Sequence, residues 1–246
     1  MKEKQKDFPL HSFYGDIHST YDRVNRIFTF GRDRSWRRTA ASELLKSKPD
    51  RVLDLCTGTG DFVLELARQS SRQGSEPGLT GFDFSSEMLQ EASRKQEEML
   101  RQKQQPEISF MEGDAGDMPF EDGHFDSMGI TFGIRNLVYE NSNATKHLSE
   151  MKRVLRPGGQ LVILESCKPD SQLWRGFNNF FLRFILPYLG GLISGNLKAY
   201  QYLANSSKNY YTIEDMGKIL DVAGFKMIRS RSLVMGSVML LILEKR

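Results

Sequence analysis

Residues 51–61, RVLDLCTGTGD, constrain this chain more than any other stretch. Val52-Leu53-Asp54-Leu55 is an apolar run that predicts a strand. It feeds into a tight turn of small residues, Cys56-Thr57-Gly58-Thr59-Gly60, and an apolar helical pattern follows at Phe62, Val63, Leu66 and Ala67. Strand, turn and helix form the opening unit of a nucleotide-binding α/β fold, because Gly58 and Gly60 let backbone approach a ligand closely. A glycine turn alone says little, since glycines also end ordinary strands. Asp83 adds to it by closing the next strand-like run, Leu79-Thr80-Gly81-Phe82. An acid at that tip can accept hydrogen bonds from both ribose hydroxyls of an adenosine. An exposed loop aspartate is the weaker reading, given the glycines upstream.

Strands and helices alternate along the rest of the chain. A helix is predicted from Ser85 to about Lys103, capped by Ser85 or Ser86, with Met88, Leu89, Ala92, Met99 and Leu100 as its apolar positions. Short strands are predicted at Ile108 to Met111, Phe125 to Phe132 and Gln160 to Glu165. The helix around Lys146 to Leu155 stops at Arg156-Pro157-Gly158-Gly159. A last helix, Ile213 to Ala223, precedes two strands, Phe225–Leu233 and Ser237–Leu243. Their short link at Met235-Gly236 requires them to run antiparallel to each other. This alternation implies a mostly parallel sheet covered on both faces.

Composition fits a single enzyme domain. The chain has 246 residues, enough for one sizeable core and one insertion. With 34 basic and 31 acidic side chains, the small net charge of +3 argues for neither a nucleic-acid binder nor an acidic-partner module. Two cysteines, Cys56 and Cys167, are too few for a disulfide framework or a thiolate metal site. The segment MKEKQKDFPL has no apolar run behind it, so no signal peptide is expected. Leu173–Ile193 is rich in aromatics, but Arg175, Arg183, Pro187 and Gly190-Gly191 interrupt it short of a membrane span. Its Leu173, Phe177, Phe180, Phe181, Phe184 and Tyr188 give one broad apolar face, either a cover helix on the sheet or a hydrophobic tunnel or membrane-docking surface. In the second reading Arg175 and Arg183 would meet lipid head groups.

Directly after the third strand comes Glu112-Gly113-Asp114-Ala115-Gly116-Asp117. Asp114 can accept from an adenine amine while Ala115 offers a backbone N–H. With Asp54, the glycine turn, Asp83 and the closing antiparallel pair, this resembles a class I S-adenosylmethionine-dependent methyltransferase. Such enzymes usually carry glycine where this chain has Cys56. A narrower resemblance follows from Tyr14-Gly15-Asp16-Ile17, Tyr21-Asp22, Asn25, Thr29-Phe30-Gly31 and Trp36-Arg37. Phe132-Gly133-Ile134-Arg135-Asn136, Met151 to Gly159, Leu186 to Gly190 and Ala199 to Leu203 continue it. Together these are similar to the signatures of the ubiquinone/menaquinone biosynthesis C-methyltransferases. Departures are Asp33 and Leu241, where histidine is usual, and Ser207, where isoleucine is usual.

The resemblance implies a Rossmann-like fold: a mostly parallel seven-stranded sheet with an antiparallel C-terminal strand and helices on both faces. It implies one methyltransferase domain, with an N-terminal helical cap over about 8–45 and a substrate-side insertion over about 168–208. The cofactor is S-adenosyl-L-methionine, bound by Gly58, Thr59, Asp83, Asp114, Ala115 and Thr131, and no metal is required. The acceptor is a ring carbon of a long-tailed prenyl quinol. That carbon is a poor nucleophile until a neighbouring hydroxyl loses its proton. Arg135, Asn136 and Tyr21 are the implied catalytic residues. Arg135 stays charged and cannot be a simple base, but it can stabilise the phenolate or hold a water. Tyr21 can close over the site, or be core packing at helical spacing with Tyr14, Ile17 and Val24. Tyr200 and Tyr202 read as lid or core residues, His18 as a surface residue, and His11, His124 and His147 carry no spacing signal. A cytoplasmic protein with peripheral membrane contact, a homodimer as a further option and no nucleic-acid partner complete the expectation. Naphthoquinol and benzoquinol stay open as acceptors. So do a sterol or phenol acceptor, and a non-catalytic S-adenosylmethionine-binding role.

Overall fold

The computed structural model describes residues 22, 26–102, 106–169, 171–180, 184–194 and 211–246. In chain order the elements are α1 (Arg32–Leu45), β1 (Arg51–Leu55), α2 (Asp61–Arg72), β2 (Gly78–Asp83), α3 (Ser86–Gln102), β3 (Ile108–Glu112), β4 (Phe125–Thr131) and α4 (Ile134–Val138). Then follow α5 (Ala144–Val154), β5 (Leu155–Ser166), α6 (Gln172–Phe180), α7 (Leu186–Ser194), α8 (Ile213–Val222), β6 (Phe225–Leu233) and β7 (Val238–Lys245). The seven strands form one sheet in the order β3-β2-β1-β4-β5-β7-β6. β7 runs antiparallel to both β5 and β6, and the other pairings are parallel.

Each face of the sheet buries its own core. Ala40, Leu44, Phe62, Leu66 and Met99 from α1, α2 and α3 pack against Val52, Val162, Leu164 and Leu240. Leu137, Met151, Val154, Met216 and Leu220 from α4, α5 and α8 pack against Leu53, Leu55, Met128, Ile163 and Leu241. Coverage on both sides explains why the inner strands read as continuous apolar runs. Leu241 takes its place here, fully buried and opposite Ile163. From β1 the chain winds outward through β2 to β3, then returns to β4 on the other side of β1. That reversal opens a crevice at the carboxyl ends of β1 and β4, the usual ligand position in such a sheet.

All seven predicted strands form, with adjusted ends. β4 stops at Thr131, because Phe132 turns to φ 58°. β5 extends back to Leu155, so Pro157-Gly158-Gly159 lies within an irregular strand start after α5 has ended at Val154. Ser85 caps α3 by accepting from the Met88 N–H at 3.3 Å. Within the apolar segment after β5 the described residues form α6 and α7, and Phe181 and Arg183 lie outside the described residues. Trp174 fastens α6 to the sheet by donating Nε1–H to Ser237 Oγ at 2.9 Å.

Candidate active site

A cavity of about 610 Å³ opens at the carboxyl ends of β1, β2 and β4. Gly58, Thr59, Asp83, Asp114, Ala115 and Thr131, which sequence reasoning assigned to the cofactor, all line it, and so does Asn136. Tyr21 lies outside the described residues, as do Tyr200, Tyr202 and Ser207.

The floor is the turn after β1. Cys56, Gly58 and Gly60 take φ values of 58°, 53° and 80°. The first explains why glycine is usual at position 56, since a side chain there carries left-handed strain. Gly60 has no alternative: a Cβ would lie 2.9 Å from that of Ala92 on α3. Asp83 ties the turn to β2, its Oδ2 accepting from Gly58 N–H at 2.8 Å and its Oδ1 from Ser85 N–H at 3.0 Å. Asp54 sits beneath, fully buried, accepting from Thr57 Oγ1 at 2.6 Å and Val63 N–H at 3.1 Å. Burial pushes its carboxyl up to about 7. Burial, with the Asp83, Asp54 and Glu165 carboxylates, also pushes the Cys56 thiol up, so it stays protonated and unreactive near neutral pH.

Above the turn lies a charged roof. Lys95 from α3 donates to Asp61 Oδ1 at 2.7 Å and Thr59 Oγ1 at 3.0 Å, and pairs with Asp22 at 2.5 Å. Thr59 donates to Asp22 Oδ1 at 2.9 Å. Burial alone would raise the Asp61 carboxyl, but Lys95, Arg37 and Arg26 hold it below the usual range. Arg37 pairs with Asp33 at 2.7 Å and lies 5.3 Å over the Phe132 ring. Asp33, a departure from the family pattern, is therefore a buried counter-ion for an arginine that lines the cavity.

Arg135 and Asn136 ride on α4, beyond the end of β4, not on the strand itself. The described lining includes Asn136 but not Arg135. The Arg135 guanidinium lies 5.0 Å over the Tyr139 ring, on the side of α4 toward Tyr139 and Tyr211. Its backbone N–H points to Glu165 Oε2 at 3.4 Å, while Glu165 Oε1 accepts from Ser166 N–H at 2.8 Å. Gly133 offers α4 no side-chain cap, so Glu165 supplies a carboxylate to its first turn from β5. Burial pushes this carboxyl up to about 7.

In the loop after β3, Asp114 Oδ1 accepts from Gly116 N–H at 2.8 Å, and the carboxylate is largely exposed. His147 from α5 lines the same cavity. Sequence reasoning missed His147, Glu165, Asp61 and Lys95, for which no local spacing gives a signal. Asp22 and Arg37 were visible only inside the N-terminal signature. Among the described residues, no cluster of His, Cys, Asp or Glu is arranged to hold a metal ion.

Solved structures share this architecture. The [4+2]-cyclase SpnF superposes with a TM-score of 0.66 at 17% identity, covering 96% of this chain and 94% of that one. A putative methyltransferase from Bacillus halodurans gives 0.55 at 18% identity, covering 83% and 98%. At such identities the likeness establishes the fold alone, that of the class I S-adenosylmethionine-dependent methyltransferases. Sequence relatives reach further. A demethylmenaquinone methyltransferase of Thermus thermophilus is 41% identical over 213 residues, 86% of this chain and 90% of the relative. That of Deinococcus radiodurans is 36% identical over 247 residues, 99% and 95% of the two chains. A ubiquinone/menaquinone biosynthesis C-methyltransferase of Geotalea daltonii is 36% identical over 235 residues, 96% and 95%. The family profile described as "ubiE/COQ5 methyltransferase family" matches residues 1–244, and the chain belongs to that family.

Proposed function

We propose that this protein transfers the methyl group of S-adenosylmethionine to a ring carbon of demethylmenaquinol. The observation that carries the reading is the cavity at the switch point of the sheet, lined by Asp22, Asp61, Asp83, Glu112 and Asp114. Fixed carboxylates favour a ligand with a cationic sulfonium, and they favour the neutral thioether product less. Release of the spent cofactor is thereby assisted. The naming of the relatives in Thermus and Deinococcus supports a naphthoquinol acceptor over a benzoquinol or a sterol.

The steps follow from the chemistry of the acceptor. A ring hydroxyl gives up its proton, and the oxyanion pushes electron density onto the adjacent carbon. That carbon attacks the methyl group in line, a C–C bond forms, and the S–CH3 electron pair leaves with S-adenosylhomocysteine. Loss of the ring hydrogen as a proton restores the aromatic ring. No step calls for a metal. Asp83 holds the ribose, Asp114 and Ala115 hold the adenine, and the glycine turn with Thr59 and Thr131 supports the methionine end. Arg135 stabilises the oxyanion by turning from Tyr139 toward the acceptor, with Asn136 and Tyr21 orienting the same oxygen.

The isoprenoid tail needs an apolar path. Leu173, Phe180, Phe184 and Tyr188 of the α6–α7 segment are exposed, a surface suited to the bilayer interface from which such a tail must be taken. Arg175 does not serve head groups in this reading, because its guanidinium donates to the Pro169 carbonyl at 3.0 Å. Among the described residues, no helix is long and apolar enough to cross a membrane. The reading places the protein in the cytoplasm, docked peripherally through that exposed apolar surface. A strain lacking the protein tests the acceptor: it should accumulate the desmethyl naphthoquinone, and the purified protein should pass labelled methyl to demethylmenaquinol. An unchanged quinone profile together with no transfer to that quinol would overturn the reading.

A further inference from the structure

His147 is buried at 6% exposure, yet it lines the cofactor cavity. Its Nδ1 lies 2.9 Å from the Leu137 carbonyl oxygen, which can only accept. Nδ1 therefore carries the proton, and in the neutral ring Nε2 presents a lone pair. Nε2 is 3.7 Å from Asp114 Oδ1, too far for a direct hydrogen bond. With the ring neutral, two acceptors stand side by side at the cavity wall. The Asp114 carboxylate is held by Gly116 N–H, and the imidazole is held by Leu137, so neither is free to swing away.

We propose that His147 is a cofactor-specificity residue, whose Nε2 and the Asp114 carboxylate together receive the exocyclic amine of the adenine. An amine with two hydrogens satisfies two neighbouring acceptors. A carbonyl at the same ring position would face two lone-pair groups and be repelled. The same imidazole is fixed to α4, the helix that carries Arg135 and Asn136, because Leu137 belongs to that helix. The inference rests on the reading that Asp114 holds the adenine, and it adds a residue that the family signatures do not include.

Isothermal titration with S-adenosylhomocysteine and its deaminated analogue, S-inosylhomocysteine, tests it on the whole protein. His147→Asn keeps a donor at the Nδ1 position for Leu137 but leaves nothing at Nε2. His147→Gln puts an acceptor where Nε2 stands. His147→Asn should weaken the adenosyl ligand about tenfold and the inosyl ligand little, and His147→Gln should restore most of the loss. If His147→Asn binds the adenosyl ligand like the unmodified protein, or weakens both ligands equally, the assignment of His147 is overturned. Asp114→Asn separates the two levels. An unchanged adenosyl affinity there removes the adenine reading itself, whereas a loss there with none in His147→Asn removes only the role of His147.

Discussion

Asp83→Asn tests two roles of one carboxylate at once. Asp83 is buried, lines the cavity, and already accepts from the Gly58 and Ser85 amides. An asparagine keeps one acceptor oxygen, so one of those two N–H groups would face an NH2 instead. Losing one charge-assisted bond of this kind costs about 1.5–3 kcal/mol of stability. In a chain of this size that is a fall in Tm of roughly 3–12 °C, readable by calorimetry. The ribose role adds a separate loss. An anion that accepts from two hydroxyls contributes about 2–3 kcal/mol to binding, so the Kd for S-adenosylmethionine should rise by roughly 30- to 160-fold. Alanine is the poorer probe, because it would strand both amides and confound affinity with turn geometry. If Asp83→Asn lowers Tm as expected but binds the cofactor with unchanged affinity, Asp83 only fastens the turn, and the ribose assignment is wrong.

Arg135→Ala should lower kcat by about a hundredfold to a thousandfold and leave cofactor affinity nearly unchanged, with Arg135→Lys rescuing little, as steady-state kinetics would reveal. Near-normal kcat would return Arg135 to a packing role against Tyr139. Gly60→Ala combines left-handed strain at φ 80° with a Cβ contact at 2.9 Å, and should cost about 2–5 kcal/mol in urea denaturation; a loss below about 1 kcal/mol would contradict the packing of α2 on α3. Asp54 and Glu165 both have carboxyls pushed up to about 7 by burial, from ordinary values of 3.8 and 4.5. Their folded values exceed the unfolded ones, so the stability they confer is complete below the unfolded values and is lost as pH rises to about 7. Denaturation should show a fall on the order of 3 kcal/mol from Glu165 alone between pH 4.5 and 7, which Glu165→Gln removes; a slope unchanged in that variant refutes the assignment. Asp61, held low by Lys95, stays ionised across that window and adds no slope.

The sequence alone determined the local units. Val52 to Gly60, Asp83 and Asp114-Ala115 could be read because each sits within a few residues of the strand end that presents it. Apolar runs and turn residues mark those ends directly. The reversed final strand was also legible, since the short link at Met235-Gly236 allows no crossover. Only the tertiary structure decided which distant side chains share the cavity. Asp22 meets Lys95 across 73 residues, and Arg135 meets Glu165 across 30. His147, unremarkable on its own helix, reaches the carboxylate of Asp114 because α5 packs beside the loop after β3. Periodicity reports which face of an element is apolar, but not which polar side chains converge once helices pack over the strand ends. The charged roof, the carboxylate under α4 and the imidazole beside Asp114 arise from that packing. They come from contacts between elements that the chain brings together only when the sheet closes at the β1–β4 switch point.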